Sequence, residues 1–180
     1  MDKVKLTAPL KKEDVKQLRT GQNILLSGII YTARDAAHKK LDELIKNGES
    51  LPIELEGNVI YYCGPCPAKD GDPIGSAGPT TSGRMDRYTP ELLDRGLCAM
   101  IGKGRRDRSV IASIKKNGAV YFGAIGGAGA LIASRVISSE TVAFPELGTE
   151  AIRKLTVEDF PLTVLIDANG NDLYDNRSID

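Results

Sequence analysis

An α/β fold is the class this sequence predicts, with a sheet that is at least partly antiparallel at its C-terminal end. Three observations predict it. Aliphatic and β-branched runs alternate with charged amphipathic stretches through the middle of the chain, the pattern of strands followed by helices. Runs such as "NILLSGIIYTA" are largely apolar rather than alternating, as in strands buried on both faces. Near the end, Asn169-Gly170 sits inside "PLTVLIDANGNDLYD", and this residue pair favours a type I′ turn between two antiparallel strands.

The elements follow in order. "TAPLKKEDVKQLRTGQ" (7–22) predicts a first helix, with Val15 and Leu18 at helical spacing and Gly21 as its stop. Residues 23–33 are the first strand. In "RDAAHKKLDELIKNG" (34–48), Ala37, Leu41, Leu44 and Ile45 share one helical face and Gly48 closes the end. "NVIYYCG" (58–64) is the second strand, and it runs into a loop over 63–83 rich in Gly, Pro, Ser and Thr. A loop of that length within a domain is a functional or mobile segment. Thr89-Pro90-Glu91 reads as N-cap, first-turn proline and first-turn acid of a short helix. "LCAMIGKG" (97–104) is a strand, "SVIASIKKNG" (109–118) a helix, "AVYFGAIGG" (119–127) a strand and "AGALIASRVIS" (128–138) a helix.

At 180 residues the chain has the length of a single domain spanning 1–180. Lysine plus arginine and aspartate plus glutamate balance at 24 each, so no global field draws it to nucleic acid or to an anionic membrane. No apolar run approaches the roughly 20 residues that span a bilayer, and the expectation is a soluble, cytoplasmic protein. Three cysteines argue against a disulfide framework and for a reducing compartment.

Several motifs have bland readings. "GAIGGAGALIA" follows a strand and opens a helix, yet Gly127-x-Gly129-x-x-Ile132 lacks the third small residue of a dinucleotide site. "GKGRRD" is no phosphate loop, although Lys103 between glycines at a strand end suits an anion pocket. "DANGNDLYD" reads as a turn rather than a calcium loop. His38, in mid-helix, is a packed or helix-surface residue, with a functional role held open by Arg34 and Asp35 at the preceding strand end. Arg84, Arg87, Arg95, Lys103, Arg105, Arg106 and Arg108 are interrupted by Asp86, Glu91, Asp94 and Asp107, with almost no aromatic residues for stacking bases. A solvated face accounts for most of them. It leaves "GPTTSGRMD" unexplained, where two threonine hydroxyls precede an arginine suited to a two-point grip on a carboxylate.

Taken together and in this order, "ARDAAHKK", "GPTTSGRMD", "GKG" and "YFGAIGGAGALIA" resemble the β subunit, or carboxy-terminal domain, of class I iron-sulfur fumarases and of the related L-tartrate dehydratase. The resemblance implies a swivelling β/β/α domain, a mixed sheet flanked by helices, docked on an α subunit whose cysteines hold a 4Fe-4S cluster. It implies a hydro-lyase working on a small dicarboxylate, with one iron as Lewis acid, in a heterotetramer or homo-oligomer. By motif, Arg34, Arg84 and Lys103 match the family's carboxylate-binding cations. Thr80 matches the residue proposed as base, with Thr81 beside it. An alkoxide is tolerable there only if neighbouring cations and the cluster stabilise negative charge. The alternative within this chemistry is tartrate dehydration to oxaloacetate. From another class, Cys63 and Cys66 in "YYCGPCP" offer a dithiol redox pair, but a proline-glycine loop follows them where a helix would be needed. The family does not generally carry cysteines there.

Overall fold

Side chains along the central apolar runs divide between two cores, because successive residues of a strand point to opposite faces. In the computed structural model, which describes residues 2–124 and 128–175, these runs form strands of one mixed sheet. β1 (Val4–Ala8), β2 (Asn23–Thr32), β3 (Val59–Tyr61), β4 (Ala99–Gly102) and β5 (Val120–Gly123) pair in parallel. β6 (Val136–Ala143) and β7 (Ile152–Ile166) complete the order β1-β2-β3-β4-β5-β7-β6. β7 is antiparallel to β5 and β6, and it also pairs along β2 from Asn23↔Thr163 to Thr32↔Arg153. The circuit β2-β3-β4-β5-β7 therefore closes on itself as a five-stranded barrel.

One core holds Leu26, Ile30, Val59, Tyr61, Ile101, Phe122, Leu155 and Phe160. Tyr61 and Phe160 meet edge to face with centroids 5.4 Å apart, joining β3 to β7 across the intervening β2. The other core sets Ile60, Tyr62, Met100 and Tyr121 against the helices. These are α2 (Asp35–Lys46) through Ala37 and Leu41, α3 (Thr89–Asp94) through Leu92 and Leu93, and α4 (Arg108–Asn117) through Val110 and Ile114. The α/β class, the mixed sheet and the flanking helices are as predicted. No helix among the described residues is long and apolar enough to cross a membrane.

Four details differ from the sequence reading. The first helix, α1, spans only Lys12–Gln17, and the residues before it form β1, with Leu6 and Ala8 facing inward. Pro9 separates the two, and a proline biases the residue before it toward extended backbone. Thr89 is not an N-cap: its hydroxyl donates to the Met85 carbonyl (2.9 Å) and Tyr88 holds the cap position. The helix predicted over 128–138 stops early, as α5 (Gly129–Ala133), and Val136 onward is β6. There a β-branched run finds a partner strand in β7, and pairing overrides weak helical spacing. Finally, only Gly170 of the Asn169-Gly170 pair has positive φ (83°), so the turn is not type I′. The Asp167 carbonyl accepts the Gly170 N–H (2.9 Å), its carboxylate accepts both Asn169 and Asn171 N–H groups, and the returning chain makes a single bridge, Ile166↔Asp172. Gly127 of the glycine-rich motif lies outside the described residues.

Phe160→Ala is expected to cost about 3–5 kcal/mol by opening a cavity where Tyr61 now packs, measured as a lowered urea midpoint at constant slope.

Candidate functional site

The carboxyl ends of parallel strands are where α/β sheets, open or closed, leave room for a ligand, and three of them carry the candidate residues here. Arg34 follows β2 and is the N-cap residue of α2, with Asp35 first in the helix. Lys103 follows β4. Thr80 and Thr81 arrive from the long loop after β3. That loop is pinned rather than free: Cys66 N–H reaches the Ser76 carbonyl (2.9 Å), Tyr61 OH donates to the Ala77 carbonyl (2.5 Å), and Thr80 N–H donates to the Tyr62 carbonyl (2.7 Å). Thr81 then bridges Lys103 in parallel, and Ser82 N–H donates to the Lys103 carbonyl (2.9 Å). A 3₁₀ turn, Ser82–Met85, swings Arg84 outward.

Two glycines make these approaches possible. A Cβ at Gly102 would overlap Ser82 Oγ and press on the Tyr62 ring, so the threonine strand lies against β4 only because no side chain is there. A Cβ at Gly64 would sit 2.9 Å from Arg34 Cδ. The arginine therefore lies across the start of the loop.

Asp35 links the two arginines. Arg84 Nη2 donates to Asp35 Oδ2 (2.7 Å), and Arg34 Nε lies 3.4 Å from the same oxygen. Partial burial works to raise the Asp35 pKa, but the Arg84 hydrogen bond, a backbone hydrogen bond, the Arg84 charge and the Arg34 hydrogen bond together outweigh it and hold the carboxyl below its usual range. It is a carboxylate at neutral pH. Arg84, Lys103 and Thr81 are exposed, and Arg34 and Thr80 are half-buried. Lys103 makes no ion pair among the described residues. Arg34, Thr80, Thr81, Arg84 and Lys103 are thus gathered at one edge: three cations fit for an anionic ligand beside two hydroxyls.

A buried layer supports this edge. Arg106, read above as part of a solvated face, has a side chain that is 0 % exposed. Its Nε donates to Asp86 Oδ1 (2.6 Å), its Nη2 to Thr89 Oγ1 (2.9 Å) and Tyr62 OH (3.1 Å), and it lies over the Tyr62 and Tyr121 rings. His38 is the packed residue of the two alternatives. Its Nδ1 donates to the Arg34 carbonyl (2.9 Å), which fixes the tautomer and leaves Nε2 buried without a partner among the described residues. The ring meets Tyr62 edge-on at 5.4 Å and faces Tyr88 at 5.9 Å.

The thiols are poor reagents. Burial pushes Cys63 up to about 12 and Cys98 up to about 11, so both stay protonated at neutral pH. Cys66 is exposed, but no helix starts at it, since the next helical turn begins at Ser82. Among the described residues no group of three or more His, Cys, Asp or Glu could hold a metal ion, and these cysteines do not fit an iron-sulfur cluster.

Comparison with known proteins bears on the whole chain. The sequence profile of the family described as the fumarase C-terminus matches residues 1–177. The chain belongs to that family. Fumarase C-terminus relatives include the aerobic class I fumarate hydratase of Escherichia coli K12, 43% identical over 96% of this chain but 32% of its own length. Fumarate hydratase 2 of Leishmania major is 42% identical over 96% of this chain and 31% of its own. The chain thus spans about a third of these fumarate hydratases. A third relative is of similar size: a putative L(+)-tartrate dehydratase subunit beta of Methanocaldococcus jannaschii, 41% identical, with 92% of this chain and 88% of its own length covered.

Sequence reasoning missed Glu150, which lies 3.3 Å from Arg34 Nε and accepts the Ala36 N–H (3.2 Å). It stands 114 positions away, and no local signal marks it. It also missed the Arg106–Asp86 pair, whose interrupted charges look like any solvated surface.

Burial, with the nearby Arg106 charge, lowers the His38 pKa from 6.5 to about 4, against smaller opposing effects of the Arg34 carbonyl and Asp35. The unfolded chain takes up this proton below pH 6.5 and the folded one only near 4, so stability present at neutral pH is withdrawn as pH falls between those values, by about 3 kcal/mol. His38→Phe should flatten that part of the unfolding-versus-pH curve.

Proposed function

We propose that this chain is the β subunit of a two-subunit iron-sulfur hydro-lyase, a fumarate hydratase that reversibly hydrates fumarate to L-malate. The observation that carries the reading is the edge where Asp35 couples Arg34 and Arg84 (3.4 and 2.7 Å) and where Thr81 pairs with Lys103 beside Thr80. Fumarate and malate are dianions, and two separate cationic poles are what a dicarboxylate requires. The activities by which its relatives are named agree with that chemistry.

In the dehydration direction, this chain's residues bind, orient and take a proton. Arg34, Arg84 and Lys103 hold the carboxylates and offset the negative charge that builds up as the proton leaves the carbon beside one of them. Thr80 Oγ, ionised to an alkoxide that these cations stabilise, receives that proton and becomes a hydroxyl, with Thr81 beside it. The C–O bond breaks as the double bond forms, and the hydroxyl leaves as water, protonated by an acid assigned to the partner α subunit. The loop bonds from Tyr62 and Lys103 fix the threonine backbone before substrate arrives, which is the positional part of catalysis. The 4Fe-4S cluster is assigned to the partner α subunit, because the cysteines of this chain do not suit it. The similar length of the tartrate dehydratase β subunit supports a separate partner chain. We assign the chain one domain over 1–180 that swivels against the α subunit, in a cytoplasmic assembly. The same relative favours a second reading, L-tartrate dehydration. The substrates differ by one hydroxyl, and a site that hydrogen-bonds that group would discriminate strongly.

Activity is expected only when the chain is combined anaerobically with a cluster-bearing α subunit, and an assay with L-malate and L-tartrate side by side decides the substrate. A hydratase active without the partner would overturn the two-subunit reading. In the complex, Arg84→Ala should lower kcat/KM by roughly a hundredfold or more while the circular dichroism spectrum is retained. The double change Cys63→Ser, Cys66→Ser should leave turnover within about twofold, the behaviour of bystander thiols; collapse would return the sulfurs to the site.

A further inference from the structure

From the contacts at the start of α2 we infer that Glu150 is a positioning residue for Arg34, holding its guanidinium so that only the outer nitrogens face the ligand. The inference rests on the function proposed above. An N-cap residue must offer an acceptor to the first free N–H groups of its helix, and arginine has donors only. Arg34 therefore cannot cap α2, and it makes no side-chain cap bond. The missing acceptor comes from the connection between β6 and β7. Glu150 Oε1 accepts the Ala36 N–H at 3.2 Å, and the same oxygen lies 3.3 Å from Arg34 Nε. One oxygen accepts from the helix start and pairs in charge with the inner side of the guanidinium, whose Nε–H donates to Asp35 Oδ2 (3.4 Å).

The outer edge is left open. Among the described residues neither Nη atom of Arg34 donates to a protein acceptor, while Nε faces Glu150 and Asp35. An arginine held by its inner nitrogen presents its two outer ones together, the geometry of a bidentate carboxylate grip.

The segment bearing Glu150 is itself fastened to α2. Pro145–Glu150 is a 3₁₀ stretch entered through Phe144 at φ 53° and broken at Gly148, where ψ is −119°. Lys40 of α2 pairs with Glu146 and lies over the Phe144 ring at 5.2 Å. On its other side, the Thr149 carbonyl would be 3.2 Å from a Cβ at Gly64, so the strap, Arg34 and the loop start converge on a place with no room for another side chain. A half-exposed ion pair alone would be worth little. The double use of one oxygen makes this pair a matter of geometry.

The test uses the reconstituted complex and the variants Glu150→Ala, Glu150→Gln and Arg34→Ala. Glu150→Ala should raise KM for the active substrate about tenfold with a smaller change in kcat. Glu150→Gln keeps an acceptor for Ala36 but loses the charge, and should fall between. The double variant Glu150→Ala, Arg34→Ala should be no worse than Arg34→Ala alone, because the glutamate acts through the arginine. Additive losses, or an unchanged KM in Glu150→Ala, would overturn the inference. A second readout needs no turnover: in the isolated chain, the Arg34 Nε–Hε NMR resonance should shift and exchange faster with solvent in Glu150→Ala, because Asp35 alone is left beside it. An unchanged resonance rejects the positioning role. A wild-type complex inactive on both substrates, with the resonance shift still present, rejects the hydro-lyase reading instead.

Discussion

The placement of the candidate site depends on one buried ion pair. Arg106 and Asp86 meet at 2.6 Å with the arginine side chain fully shielded from water. Between them they reach Tyr62 after β3, Thr89 at the start of α3, and Asp107 at the N-cap of α4, whose N–H binds Asp86 Oδ2 at 2.8 Å. A charge taken out of water must be matched in detail, since an unpaired partner would cost roughly 3–5 kcal/mol. A pair of apolar residues could fill the space, but it would not demand this one arrangement of segments. The turn carrying Ser82 and Arg84 is consequently held from beneath, while Thr81, Arg84 and Lys103 above it stay open to solvent.

The second constraint is topological. Four strands of the barrel circuit come from the parallel series, and β7 returns antiparallel to close it. Parallel strands put their carboxyl ends at one edge, so residues following β2, β3 and β4 meet there although they lie far apart in sequence. Packing at that edge is tight, and Gly64 and Gly102 are where the backbone and Arg34 come too close for a Cβ. The same crowding explains how a glutamate from the β6–β7 connection reaches the start of α2. The electrostatic result is asymmetric: Asp35 and Glu150 face the inner nitrogen of Arg34, Asp35 also binds an outer nitrogen of Arg84, and Lys103 remains without a carboxylate among the described residues.

Much of this was legible in the sequence because it is local. The α2 face through Ala37 and Leu41 and the apolar runs of β2 to β5 follow from periodicity, and "GPTTSGRMD" with "GKG" marks residues that do converge. What failed to be legible was set by partners. Val136–Ala143 has weak helical spacing of its own and is a strand because β7 lies beside it. Asn169-Gly170 makes a turn, yet the Asp167 carboxylate recruits the next amides and alters its type. Arg106 looks like a surface charge until Asp86, Thr89 and two tyrosine rings are brought around it.

By itself, then, the sequence determined the α/β class, the succession of most elements, the family resemblance and the five residues of the candidate edge, since propensity, periodicity and short motifs act over a few neighbouring positions. Only the tertiary structure decided which charges are buried, which carboxylates hold Arg34 and Arg84, and that Cys63 is an inert core thiol. Those properties depend on desolvation and on contacts across more than a hundred positions, as between Glu150 and Ala36. No local pattern encodes them.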